Sequence, residues 1–404
     1  MNMNTPNFKL PLILILCALV LATASQPVVK AENRSISTHA RAAALIDVES
    51  GRILYSSRGD EPMLIASLTK IMTALVAIEN GDLHSKVKVG KNAFAKEGSS
   101  LYLKQGEEMS LEDMLYGLML RSGNDAATAI AEHVGGTEEG FVYLMNAKAE
   151  ELGLQNTHFA NPHGLDAEGH YSSANDLAVL TAYAMHNPVF KKIVKTREKT
   201  ADNPYEKWDY KWLNKNKMLR LYEGADGVKT GYTKKALRCL VSSATRGGQQ
   251  LIAVTLNDGD DWNDHAALLD FGFNHYPLKR LIERGEGIRG YGYVTGRTFS
   301  YPLGQGEEAR LVTKLVLLPA TKAADQQGAR SSASFGLKGI LVLQLGGKEI
   351  GRVPVYPPEQ LPPEQSAYEK KYESAGAGAY PVNHWLQAFG SALRALLQMG
   401  DTRK

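Results

Sequence analysis

Cysteine is nearly absent from this chain of 404 residues: there are two, Cys17 and Cys239. Cys17 falls inside an apolar N-terminal run and follows Leu16, where a lipid-modified cysteine needs a small neighbour. Cys239 is then the one thiol left for a mature chain, which excludes an intramolecular disulfide and a cysteine-based metal site. Its neighbours Leu240 and Val241 make it a small buried hydrophobe. Net charge is also small, +3, with both signs interspersed, so no basic stripe points to nucleic acid. Beyond the N-terminus no apolar run is long enough to cross a bilayer. No internal repeat is apparent.

What is present suffices for a globular core, with 44% hydrophobic and 22% charged residues. The length suits two domains and a tail. Residues 1–24 read as a secretory signal: Lys9, the apolar run Leu10 to Leu21, then the Ala22-Thr23-Ala24 cleavage pattern. The expected location is therefore outside the cytoplasm.

Residues 25–281 carry mixed signals. A hairpin with alternating apolar positions is expected over 43–55, turning at Glu49-Ser50-Gly51. A buried helix follows over 67–80, closed by Asn80-Gly81. A helical stretch over 110–133 opens on Ser110-Leu111-Glu112-Asp113, a capping pattern, and breaks near Arg121 to Asn124. Further helices are expected over 138–152, 174–186 and 263–271, with strand-like runs between 226 and 258. Strands flanking a helical block indicate α+β architecture with an antiparallel sheet. Residues 282–358 hold only strand-like runs between Gly- and Pro-bearing turns and read as a small all-β domain. Residues 359–381 read as a linker. Over 382–404, Gln387, Ser391, Arg394 and Gln398 form a narrow polar stripe on an otherwise apolar helix, suited to a membrane surface.

Three short motifs carry chemistry. In Ser67-Leu68-Thr69-Lys70, residues three apart share a helix face, so the lysine amine reaches the serine hydroxyl. Serine needs an adjacent base, and lysine serves as one once burial lowers its pKa; Ile71, Met72 and Leu75 supply apolar surroundings. Ser122-Gly123-Asn124 offers a hydroxyl and an amide. Lys229-Thr230-Gly231 offers a cation and hydroxyl for a carboxylate, and a glycine that lets a substrate backbone lie close. Each alone is commonly a solvated helix face, turn or strand end. Their ordered combination resembles the S-x-x-K, S-D-N and K-T-G set of penicillin-binding proteins and class A β-lactamases, with Gly123 at the middle place of the second motif.

The runs ASLTKIMTALVAIE, RSGNDAA, NPHGLDAEGHYSSANDLA and DGVKTGYT resemble low-molecular-mass penicillin-binding D-alanyl-D-alanine carboxypeptidases over about residues 40–280. The resemblance implies that Ser67 is acylated, Lys70 is its base and Ser122 relays protons. It implies that Asn124 binds the peptide, Lys229 and Thr230 hold the terminal carboxylate, and the N–H groups of Ser67 and Tyr232 form an oxyanion hole. It implies no cofactor. Expected partners are peptidoglycan stem peptides, β-lactams as inhibitors and a membrane surface. One departure stands out: some members place an arginine before the last catalytic helix, and here Asp260 to His265 has none. That departure leaves carboxylate recognition to Lys229 and Thr230. A β-lactamase and a catalytically silent peptidoglycan-binding protein are the alternatives; the first needs a positioned glutamate for deacylation, which Glu150-Glu151 does not match.

Overall fold

The computed structural model describes residues 36–94, 96–318 and 336–363. The expected signal segment and amphipathic helix lie outside them, as does most of the linker.

The central element is a five-stranded antiparallel sheet ordered β2-β1-β9-β8-β7, with β1 at Ala40–Asp47, β2 at Ile53–Ser57, β7 at Ala225–Thr233, β8 at Leu237–Arg246 and β9 at Gln249–Asp258. Two chain ends thus meet in one sheet, because β1 pairs β9, aligning Leu45 with Ala253 and Ile46 with Ile252. The expected hairpin is there, but its first strand does not alternate. Ala42 through Ile46 are all buried. The reason is that both faces of β1 are covered. Ala42, Ala44, Ile46, Ile252, Val254 and Leu256 face the main core. On the other face, Gly272 of the C-terminal catalytic helix packs against Leu45 and Leu251, where a side chain would collide.

The helical block lies between β2 and β7. It comprises α1 (Lys70–Asn80), α2 (Leu111–Tyr116), α3 (Asn124–Gly135), α4 (Glu138–Glu151), α5 (Ala174–Ala184), α6 (Pro188–Lys195) and the single turn α7 (Met218–Leu221). Helix α8 (Asp261–His275) follows the sheet and runs longer at both ends than expected. The Ser110 hydroxyl caps α2 by accepting from Asp113 N–H at 3.1 Å. The expected helix over 67–80 begins as a 3-10 turn, Ala66–Thr69. Two short ladders escaped the sequence reading: β3 (Lys86–Lys88) with β4 (Glu108–Ser110), and β5 (Glu198–Ala201) with β6 (Tyr210–Leu213). Strands of three or four residues show no readable periodicity. Helix α6 also escaped it, although Asn187 caps it and Pro188 opens it.

Beyond α8, β10 (Leu278–Ile282) pairs with β12 (Phe299–Pro302), a ladder that straddles the division expected at residue 281. A four-stranded antiparallel sheet follows, ordered β11-β15-β14-β13, from Val294–Thr295, Leu311–Leu317, Gly339–Leu345 and Lys348–Tyr356 as β11, β13, β14 and β15. It has its own small core of Ile282, Leu341, Leu343, Val353 and Val355.

One side chain ties this region to the central sheet. Arg52, between β1 and β2, donates to both Glu307 oxygens at 2.8 and 2.7 Å and to the Pro302 carbonyl at 2.7 Å. Its guanidinium lies 5.2 and 5.5 Å from the ring centroids of Tyr276 and Tyr301. The hydrogen bond from Arg52 holds the Glu307 carboxyl below its usual range. A depressed carboxylate contributes stability at neutral pH and loses it as acid titrates the folded state. Arg52→Ala should therefore cost about 1–3 kcal/mol in thermal or urea unfolding at neutral pH. The gap between variant and wild type should narrow on acidification; a gap independent of pH would show that packing alone, not the ion pair, carries the tie.

Candidate active site

Ser67 sits in the 3-10 turn that precedes α1, and the turn is strained: Ala66 has φ 46°, in the left-handed region that side chains avoid. Three groups hold it there. Thr69 Oγ1 donates to the Ala66 carbonyl at 2.9 Å. His170 Nε2 lies 2.8 Å from the same hydroxyl, while its Nδ1 accepts from Ala160 N–H at 3.0 Å. Gly164, at φ 85°, lies so close under Ala66 that any Cβ would strike its carbonyl. His170 thus serves the turn, while His163 Nε2 faces Glu138 at 3.5 Å. Burial lowers the His170 pKa to about 4, which keeps it neutral.

Lys70 is wholly buried, with Nζ 3.1 Å from Ser67 Oγ, 2.7 Å from Asn124 Oδ1 and 2.5 Å from the His163 carbonyl oxygen. Burial pushes its pKa well below that of an exposed lysine; Lys229 and Lys215 push the same way, against Asp125. A neutral amine can donate to the two fixed acceptors and offer its lone pair to the serine proton. That is the arrangement a general base needs.

The second motif stands where the helix over 110–133 breaks. A π-turn at Gly117–Arg121 ends at Ser122, whose φ of 68° turns its side chain out of the helix. Ser122 Oγ accepts from Lys229 Nζ at 3.1 Å. Asn124 is committed at both ends of its amide, because Nδ2 donates to the Glu97 carbonyl at 2.7 Å while Oδ1 faces Lys70. It therefore supports the base, while the second Nδ2 proton remains for the peptide expected there. The next residue, Asp125, accepts from the N–H groups of Leu101 and Leu103 and from the Ser100 hydroxyl, fixing the loop that borders the cleft. Asp125 gave no sequence signal.

The third motif lies on β7, the edge strand of the sheet. Lys229 is buried and also donates to the Thr230 carbonyl at 2.8 Å. Burial, then Lys215, lowers its pKa to about 7. Gly231 packs against the nucleophile turn: a Cβ there would lie 3.2 Å from Ser67 N and 3.1 Å from the Ile65 carbonyl oxygen. Tyr232 is 63% exposed and lines the cleft.

Together these elements wall a cleft of about 460 Å3 lined by Ser67, Ser122, Thr230, Gly231 and Tyr232. The sequence reading missed Ser99, Lys215, Arg238, Asp261 and Trp262, which line it too. It left carboxylate recognition to Lys229 and Thr230, yet Lys215 and Arg238 bring two more cations. A lone lysine in a loop and a lone arginine on a strand carry no motif. Cys239 is buried, and burial raises its thiol to about 12, so it stays inert. Among the described residues no cluster of three or more His, Cys, Asp or Glu could hold a metal.

Relatives share this layout. The family model for D-alanyl-D-alanine carboxypeptidases, peptidase S11, matches residues 25–260. The chain is 36% identical over 346 residues to D-alanyl-D-alanine carboxypeptidase DacF of Bacillus subtilis, covering 81% of this chain and 87% of that one. It is 34% identical over 339 residues to DacC of Escherichia coli, covering 79% and 83%. Among solved structures, penicillin-binding protein 5 from Haemophilus influenzae superposes with a TM-score of 0.62 at 28% identity, covering 80% of this chain and 97% of that one. DacD from Francisella tularensis superposes with a TM-score of 0.63 at 25% identity, covering 83% and 96%. The chain belongs to the peptidase S11 family of D-alanyl-D-alanine carboxypeptidases.

Proposed function

We propose that this protein removes the terminal D-Ala from peptidoglycan pentapeptide stems through an ester on Ser67. The observation that carries the reading is the wholly buried Lys70 amine 3.1 Å from Ser67 Oγ. Ser67 Oγ attacks the carbonyl carbon between the two D-Ala residues as Lys70 takes its proton. The oxyanion is held by the N–H groups of Ser67 and Tyr232, donors of this kind being worth on the order of 3 kcal/mol each. The C–N bond breaks as the leaving nitrogen gains the proton that Lys70 took, passed on through Ser122, which is itself held by Lys229. Free D-Ala departs and Lys70 is neutral again. Water then attacks the ester, Lys70 accepts its proton, and that proton passes to Ser67 Oγ as the acyl–oxygen bond breaks. Thr230 and Lys229 hold the terminal carboxylate. Gly231 leaves room for the peptide beside β7.

A β-lactam presents the same amide and carboxylate, so it acylates the same serine. Its leaving group stays tethered, which slows release. The β-lactamase alternative finds little support. Glu150 and Glu151 are exposed at the end of α4, where Glu151 pairs with Lys148 at 2.6 Å, and neither lines the cleft. A silent binding protein has no use for a lysine buried at such cost beside a serine.

Around this centre we place an exported protein at the extracytoplasmic face of the cytoplasmic membrane. Its signal is residues 1–24, its catalytic domain 25–281 and its all-β domain 282–358. Residues 359–381 link these to an amphipathic helix, 382–404, which lies in the membrane surface.

Three outcomes test this. Intact-mass analysis with a labelled penicillin should show one adduct, absent in Ser67→Ala, and Lys70→Ala should acylate roughly 100- to 10,000-fold more slowly; an adduct on Ser67→Ala refutes the assignment. The pH profile of kcat/KM for D-Ala release should be bell-shaped. It rises as Lys70 loses its proton and falls as Lys229, at about 7 in the empty cleft, loses the cation that holds the carboxylate. A profile without an alkaline limb would remove Lys229 from carboxylate binding. In liposome flotation the mature chain should float and a chain lacking residues 382–404 should not, with soluble-substrate activity unchanged; equal flotation of both ends the anchor idea.

A further inference from the structure

The substrate ends in a carboxylate, and holding it is what separates a carboxypeptidase from an endopeptidase. Lys229 is poorly placed to do this alone. It is buried, its Nζ already serves Ser122 and the Thr230 carbonyl, and its charge is needed beside a neutral Lys70. The stretch that leads into α8 and forms its first turn, Asp258 to His265, contains no lysine or arginine.

Arg238 is the cation that the fold brings to the same place. It lies on β8 directly opposite Tyr232, with Thr230 one diagonal away, so the three side chains share one face of the sheet. It lines the cleft with Ser67 and Thr230. Its guanidinium is held by the very loop that lacks an arginine: Nε donates to the Asp258 carbonyl at 3.2 Å and Nη2 donates to the Gly259 carbonyl. Asp261 stands 3.7 Å from Nη1, near enough to orient the group but longer than a hydrogen bond. The Nη1 protons and one on Nη2 are left over. A planar fork fixed on one side with donors free on the other is suited to a carboxylate gripped by two parallel bonds.

We propose that Arg238 reads the terminal carboxylate of the substrate from strand β8, with the loop before α8 acting as its holder. The proposal rests on the carboxypeptidase reading above and adds a specificity-determining residue to it. The opposing possibility is that Arg238 merely fastens the loop to the sheet.

The test compares an acylated L-Lys-D-Ala-D-Ala with its C-terminal carboxamide, using the full chain. D-Ala release by wild type comes first, because its absence would refute the carboxypeptidase reading and not this one. Arg238→Ala should raise KM for the free acid on the order of 10- to 100-fold with kcat little changed, and should leave the slow turnover of the carboxamide where it was. Arg238→Gln, which keeps a donor for the loop carbonyls, should show the same selective loss with an unchanged melting temperature. End-point acylation of Ser67 by excess labelled penicillin should remain stoichiometric in both. Equal losses on acid and carboxamide, or full retention of the acid's KM in Arg238→Gln, would overturn the proposal.

Discussion

A lysine amine withdrawn from water is the constraint on which the catalytic region depends. An ammonium ion buried without partners costs far more than one interaction can return. The chain meets this by surrounding Lys70 Nζ with oxygens from three separate segments: the turn before α1, the start of α3 and the loop before α5. These are also the segments that bear the first motif, the second motif and the histidine loop. The acceptors around one amine therefore come from three segments that the hydrophobic core brings together at the cleft. Two further lysines nearby then favour the neutral form, which is the form that can take a proton from serine.

The scaffold around that amine is rigid for a related reason. Ser67 lies in the first turn of its helix, where backbone N–H groups have no intrahelical partner, and the left-handed Ala66 precedes it. Such a turn does not persist by itself. The Thr69–His170 relay, Gly164 beneath and Gly231 alongside hold it from three sides. Edge strand β7 completes the arrangement because its outer side is unpaired within the sheet, leaving backbone groups for a peptide to meet.

Charge in the cleft is asymmetric. Lys70, Lys229, Lys215 and Arg238 converge on it, with Asp261 as the acidic residue on its wall. Burial lowers the pKa values of Lys70 and Lys229, Lys215 lowers both further, and Lys229 adds to the effect on Lys70. An anionic substrate terminus entering this field is attracted and restores charge to the outer groups.

The sequence by itself determined the chemistry and most of the long elements. Ser67 and Lys70 lie one helical turn apart whatever the rest of the chain does, and a 3-10 turn in place of an α-turn does not change which side chains meet. Ser110 marks a helix start by local hydrogen bonding alone. What only the tertiary structure decided depends on contacts between residues far apart in the chain. The burial of β1 on both faces requires β9 and α8, some two hundred residues later. The engagement of Asn124 with Lys70 adds support of the base to a residue read only as a peptide binder. Arg238 looks like any strand arginine until β7 and the loop before α8 close around it. Periodicity and motif spacing report neighbours along a helix or strand, whereas the electrostatics of a cleft are set by which distant segments the core brings together.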